Sequence, residues 1–209
     1  MHANWRHEPG DTLDGVYRLE RSLGLGPVGE HFEAVDVRDE APVTVTCLHP
    51  LLFEGAHRGP NILRIQRSRA YAHEHMVRIL DVVLSGETFY VVTSPQAGMP
   101  LERWVLSRLP LPAEALQSLI QQVVEALECV HMIGVHGNLK PANVYVTDEG
   151  RVQVGAPWFL EGVREAETGQ LRSMIWPLLQ RQSSHSPERI DTDFEFVLMH
   201  EHDDGRRNR

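Results

Sequence analysis

The hydrophobic pattern of this chain changes once, near Gly98, and this change limits the possible folds more than any other feature. Before it, short runs of apolar and β-branched residues separated by turn residues predict β-strands. After it, apolar residues recur at spacings of three and four, which predicts helices. A β-rich part followed by a helical part is typical of an α+β fold with segregated elements.

The β-rich part is predicted to contain one helix among short strands. The helix is expected to begin near Pro60, because proline suits the first turn of a helix, and to run through Arg69. The predicted hairpin turn at Gly86-Glu87 joins the last two strands. The expected strands cover residues 17–23, 29–36, 43–48, 79–85 and 88–93.

The helical part is predicted to begin with a short helix at Pro100, followed by a long one at Pro112 that stops near Gly134. Two short strands, at residues 144–146 and 152–154, are expected after it. The apolar stripe of the long helix consists of Leu116, Leu119, Ile120, Val123, Val124, Leu127 and Val130.

Composition limits both the partners and the compartment. The 209 residues fit one domain or a closely joined pair of lobes, and the net charge of −9 repels nucleic acid and anionic lipid. We therefore expect no nucleic-acid partner and no membrane association. Cys47 and Cys129 lie far apart, and residues 1–10 are too polar for a secretory signal. A reducing, cytoplasmic location is predicted.

Several short motifs occur in a fixed order, beginning with the glycine-rich turn Gly24-Leu25-Gly26-Pro27-Val28-Gly29 between two predicted strands. Together, and on these elements, the motifs resemble those of the bacterial Ser/Thr protein kinases of the eukaryotic type, over about residues 14–188. The later motifs are the strand at residues 43–50, the segment 73–77, the loop 134–143 and Ser186-Pro187-Glu188.

This resemblance implies a bilobal kinase-like fold. Residues 16–95 would form a β-rich N-lobe with one helix, and residues 96–199 a helical C-lobe that lacks its last helices. Residues 1–15 and 200–209 are expected to be polar tails.

The resemblance also implies that the catalytic positions are degenerate. Thr46 stands at the strand lysine, Asn138 at the proton-accepting aspartate, and Ala156 at the metal-binding aspartate. The loop retains a histidine, a lysine and an asparagine, but Mg²⁺ normally requires a carboxylate as well. We expect no metal site, since the other histidine pairs lack further ligands at suitable spacing. The retained loop residues are His136, Lys140 and Asn143.

The nucleotide cleft implied by the resemblance is crowded. His31, Thr44 and Tyr145 stand where the family has smaller or apolar groups around adenine. Overfilling an apolar slot costs about 1–3 kcal/mol, so we expect no cofactor, and ATP with Mg²⁺ weakly bound at best. The remaining cleft positions are Gly24, Gly26 and Gly29 in the turn, and Thr93, Ser94 and Gln96 in the hinge.

These features predict a pseudokinase: a kinase-like domain without phosphotransfer activity that acts as an interaction or regulatory scaffold. The expected partner is a protein, such as an active kinase or its substrate, and self-association is a further option. One alternative is an ATP-binding Ser/Thr kinase with residual activity through Lys140 and Asn143. Another is a gene fragment with no folded role.

Overall fold

The computed structural model describes most of the chain up to Ala156. The described residues are 6–26, 28–70, 72–84, 89–132, 136–137, 139–156, and 169, 170 and 173. The predicted turn at Gly86-Glu87, the helix stop at Gly134, and Asn138 lie outside the described residues. The Ser186-Pro187-Glu188 motif and the tail at residues 200–209 also lie outside the described residues. So does most of the chain after Ala156, where the C-lobe was expected to lack its last helices.

An antiparallel sheet of six strands forms the first part of the fold. In chain order its strands are β1 (Thr12–Leu13), β2 (Tyr17–Leu25), β3 (Gly29–Asp36), β4 (Ala41–Leu48), β5 (Ile79–Val83) and β6 (Tyr90–Thr93). Their order across the sheet is β1-β2-β3-β4-β6-β5. Between β4 and β5 lie two short 3-10 helices (Pro50–Phe53 and Gly55–His57) and helix α1 (Arg58–Ser68).

The alternation of side chains along β4 divides the sheet into two different faces. Val43, Val45 and Cys47 pack into one apolar cluster together with residues of β2, β3 and β6. Leu48 points to the other face, where a second apolar cluster includes Ile65 of α1. Burial raises the pKa of the Cys47 thiol to about 12, so this thiol stays protonated in the core.

A three-stranded sheet and two helices follow. The strands are β7 (Met99–Pro100), β8 (Val144–Val146) and β9 (Val152–Val154), and the helices are α2 (Leu101–Leu106) and α3 (Ala113–His131). The buried stripe of α3 packs in one cluster with residues of β8 and β9. Among the described residues, no helix is both long and apolar enough to cross a bilayer.

The predicted α+β order, β-rich first and helical second, is confirmed. Strands β3, β8 and β9 have the predicted bounds, and the other predicted strands and helices differ by a few residues at their ends. Strand β7 was not predicted, because two residues carry no periodicity.

The predicted polar tail through residue 15 is wrong at its end, where β1 pairs with β2. Asp14 and Gly15 both have positive φ, +50° and +69°, and form the tight turn between these strands. The Tyr90 hydroxyl donates a hydrogen bond to the Asp14 carboxylate, and Leu13 is buried in the sheet core. An Asp-Gly pair beside an apolar residue was the signal for this hairpin in the sequence.

We predict that Leu13→Ala destabilises the fold by about 2–4 kcal/mol, because it removes a buried side chain from the core. Leu13 is only 6% exposed. The measurement is urea unfolding followed by circular dichroism. Thr12→Ala is the matched control, since Thr12 is exposed on the same strand, and it should change stability by less than about 0.5 kcal/mol. Equal stability of the two variants would show that β1 does not belong to the folded core.

Candidate functional site

The glycine-rich turn connects β2 and β3. The Gly26 amide donates a hydrogen bond of 2.8 Å to the Gly29 carbonyl, which closes the turn. A Cβ atom on Gly29 would lie 1.9 Å from the Cys47 carbonyl oxygen on β4. A side chain at residue 29 would therefore force β3 away from β4, so this glycine is required by the close packing of the sheet.

The His31 side chain lies directly beneath this turn. A Cβ atom on Gly26 would be 2.4 Å from His31 Nε2, so the imidazole is packed against the glycine backbone. On its other side, His31 Nδ1 is 2.9 Å from Thr46 Oγ1, within hydrogen-bond distance. The ring thus bridges the glycine turn and β4.

Three threonines lie on the same face of the sheet as this ring. Thr46 is the cross-strand partner of His31, and Thr44 is the partner of Thr93 on β6. Thr46 is 2% exposed, Thr93 4% and Thr44 9%, so atoms of the chain itself cover all three. The three threonines and the His31 ring therefore form a neutral polar group, largely shielded from water, on the face that also carries the second apolar cluster.

Lys140 brings a positive charge close to this face. The pKa of His31 is lowered, first by burial of the ring and second by repulsion from Lys140. Lys140 itself is exposed and immediately precedes the short 3-10 helix Pro141–Asn143. The charge of Lys140 therefore acts on the His31 ring, although the Lys140 side chain itself is exposed.

Hydrogen bonds hold several of the described residues of the loop that carries Lys140. Fully buried His136 donates from Nε2 to the Gly155 carbonyl, with an N···O distance of 2.8 Å. Two backbone hydrogen bonds follow: the Gly155 N–H donates to the Asn143 backbone carbonyl at 2.7 Å, and the Asn143 backbone N–H donates to the Lys140 carbonyl at 2.8 Å. His136 Nε2 is therefore engaged with the backbone of the segment before Ala156.

Ala156 lies in an apolar environment. It is 7% exposed and belongs to the cluster that contains Val28 of the glycine turn, Leu48 of β4 and Ile65 of α1. A carboxylate at this position would lose its hydration without gaining a partner from these side chains. The methyl group of Ala156 suits this cluster, and it offers no ligand atom to a metal.

Helix α1 supplies no acid to the site. Its sequence contains none, and Leu63 near its middle is 48% exposed. Throughout the part of the chain described up to Ala156, no three His, Cys, Asp or Glu side chains come together as a metal site would require.

The hinge positions lie at the end of β6, where Thr93 is its last residue, and directly after it. The Ser94 amide donates to the Arg78 carbonyl at 2.8 Å, while Gln96 is exposed. The next amide, of Ala97, donates to Gln153 Oε1 at 3.0 Å. Tyr145 is half-buried on β8, and burial raises the pKa of its hydroxyl.

The structure brings some of the predicted site residues together but not all of them. Gly26, His31 and Thr46 are in contact, and Lys140 acts on His31 through its charge. The exposed Gln96 has no described contact with that group. Sequence reasoning missed two residues of the site: Val28, which packs with Ala156, and Gln153, which holds a hinge amide. Val28 could have been found from the sequence, because it is an apolar residue inside the glycine-rich turn. No sequence signal indicated Gln153.

Comparisons with known proteins agree with one another. Residues 17–155 match the protein kinase domain. The chain is 24% identical over 192 residues to the probable serine/threonine-protein kinase PknA2 of Bifidobacterium longum, covering 90% of this chain and 25% of that protein. It is 34% identical over 151 residues to the serine/threonine-protein kinase Pkn1 of Myxococcus xanthus, covering 66% of this chain and 21% of that protein. The chain thus spans a quarter or less of the length of these relatives.

A solved structure gives the same fold. The chain superimposes with a TM-score of 0.69 on a double mutant of the PknI kinase domain of Mycobacterium tuberculosis, at 17% identity. The match covers 88% of this chain and 82% of that domain. The predicted kinase-like fold is confirmed.

We predict that Lys140→Met raises the pKa of His31, because it removes the nearby positive charge, but leaves it below its ordinary value, because burial is the larger cause. NMR titration of the imidazole signals measures this pKa, and His31→Phe assigns the signal by its loss. Arg151→Met, which removes an exposed cation from the turn between β8 and β9, is the control and should leave the pKa of His31 unchanged. An unchanged His31 pKa in Lys140→Met would contradict the placement of Lys140.

The same shift predicts how stability depends on pH. The folded pKa of His31 lies below the unfolded value, so the neutral ring's contribution is complete above the unfolded pKa. It is lost as the pH falls through the folded pKa. Thermal unfolding of the parent and of His31→Phe across this range should show a weaker acid dependence in the variant. Parallel profiles would contradict a buried neutral histidine.

Proposed function

The chain belongs to the protein kinase family, among the bacterial Ser/Thr kinases of eukaryotic type, and on this basis we propose that it is a pseudokinase. In this proposal the domain retains the kinase fold, transfers no phosphoryl group, and acts by binding another protein. It would act in the cytoplasm, in keeping with the free thiols of both cysteines.

One observation carries the proposal: two positions that supply charge for phosphoryl transfer hold buried, neutral side chains. Thr46 is hydrogen-bonded to His31, and Ala156 packs among apolar residues. Phosphoryl transfer by this fold depends on charges held in place around the nucleotide and its metal. A hydroxyl and a methyl group at these depths supply neither a cation for the phosphates nor a ligand for Mg²⁺.

Residual catalysis is the alternative, and it would depend on Lys140 and Asn143. Lys140 lies close enough to the cleft to act on His31. A lysine can attract phosphate as a point charge, but it cannot hold the metal that bridges the β- and γ-phosphates. The described part of the chain has no carboxylate cluster to do so, and this favours the pseudokinase.

A protein partner is proposed because binding is what remains for a kinase fold without catalysis. The net charge of −9 favours a partner with a basic surface, such as a basic region of an active kinase or of its substrate. Such an interaction weakens with salt, because dissolved ions screen the attraction between exposed charges that lie more than about 8 Å apart at physiological ionic strength. Light scattering of the purified chain measures its molar mass, so it shows whether the chain associates with itself or stays a monomer that needs a separate partner.

We predict that the purified chain transfers no more phosphate than its Lys140→Met variant. The assay uses radiolabelled ATP with Mg²⁺ or Mn²⁺ and a generic basic protein substrate. Lys140→Met keeps the side-chain length but removes the one loop cation that an active enzyme would still use. Incorporation by the parent chain clearly above that of the variant would contradict the proposal and favour residual catalysis.

A further inference from the structure

We propose that the His31 side chain is an internal occupant of the cleft and that its ring volume excludes purine nucleosides from it. This inference deepens the proposed function, on which it rests, by naming what closes the site. It concerns ligand entry and makes no claim about phosphoryl transfer.

The first step is the direction of the side chain. Phe32, the next residue on β3, is fully buried in the apolar cluster on one face of the sheet. Side chains alternate along a strand, so His31 points to the opposite face. Its hydrogen bond to Thr46 agrees with this, because Thr46 lies between Val45 and Cys47, which belong to the same cluster as Phe32.

The second step is that the ring is held at both ends. Nδ1 is 2.9 Å from Thr46 Oγ1, and Thr46 is shielded from water, so this hydrogen bond has little competition. Nε2 lies so close to the Gly26 backbone that a methyl group on Gly26 would overlap it. The ring therefore occupies the volume between the turn and the sheet, which a planar ligand on this face would need.

The third step is the charge state. Burial and the charge of Lys140 both favour the neutral imidazole. A neutral ring can remain in a shielded site, whereas a charged one would be repelled by Lys140 and would gain from moving into water. The neutral His31 ring is thus compatible with its shielded position at neutral pH.

The fourth step is the class of ligand that an opened cleft would take. The hydroxyls of Thr44, Thr46 and Thr93 line this face, and no carboxylate cluster among the described residues would hold a metal–triphosphate. A flat heterocycle with polar edges and no phosphate matches a neutral, partly polar slot. Adenosine, without metal, is therefore the suitable probe.

The test compares His31→Val with His31→Phe, by titration of adenosine in calorimetry or by ligand-observed NMR. Valine empties the ring volume and suits a β-strand, while phenylalanine keeps the volume without the hydrogen bond. We expect His31→Val to bind adenosine about tenfold or more tightly than the parent chain, and His31→Phe to bind no better than the parent. Cooperative thermal unfolding confirms that each variant is folded, and His31→Thr replaces His31→Val if the latter is not.

Three results would overturn the inference: no gain of binding in a folded small-residue variant, equal gain in His31→Phe, or parent binding as tight as that of His31→Val. The proposed function is tested separately by adding Mg²⁺ and radiolabelled ATP to the same variants. Adenosine binding without phosphate transfer supports both proposals. Transfer by His31→Val would contradict the pseudokinase while leaving His31 as the occupant of the cleft.

Discussion

An ionised side chain that is buried in a protein needs an opposite charge or several hydrogen bonds, and the cleft face of the first sheet avoids this requirement by being neutral. A lysine at residue 46 would need an acid from α1, which has none. Thr46 needs only one partner, and His31 provides it. At Ala156 a carboxylate would be surrounded by apolar side chains, whereas the methyl group packs there. Restoring a single charge at residue 46 or 156 would leave that charge without a partner among these side chains.

Much of the fold could be predicted from the sequence, because its main elements carry strong periodicity. Helix α3 could be placed from its apolar stripe, and strands β3, β8 and β9 from the alternation of apolar and polar residues, since each of these elements buries one face. Strand β1 was missed because a two-residue strand has no period of its own and its neighbours are polar. Its pairing depends on the Asp14-Gly15 turn and on contacts with Tyr90, a residue far along the chain.

The positions of the candidate site could also be predicted, since motif order and spacing locate Thr46, Lys140 and Ala156. Their surroundings could not. The contact of His31 with Gly26 depends on the register between β2 and β3, which includes two irregularities. The effect of Lys140 on His31 joins residues more than a hundred positions apart, and the apolar cluster that contains Ala156 draws on five elements and the glycine turn. Such contacts are set by the tertiary fold rather than by local sequence.

The most direct test of the central claim is whether the cleft holds a metal–nucleotide complex. Electron paramagnetic resonance of Mn²⁺ with a non-hydrolysable ATP analogue, titrated with the purified chain, reports this without any assumption about a substrate. The account predicts that the spectrum of the free Mn²⁺–nucleotide complex persists at every protein concentration. A saturable, broadened spectrum of protein-bound Mn²⁺ that requires the nucleotide would contradict the claim that neutral side chains have replaced the charges of the site.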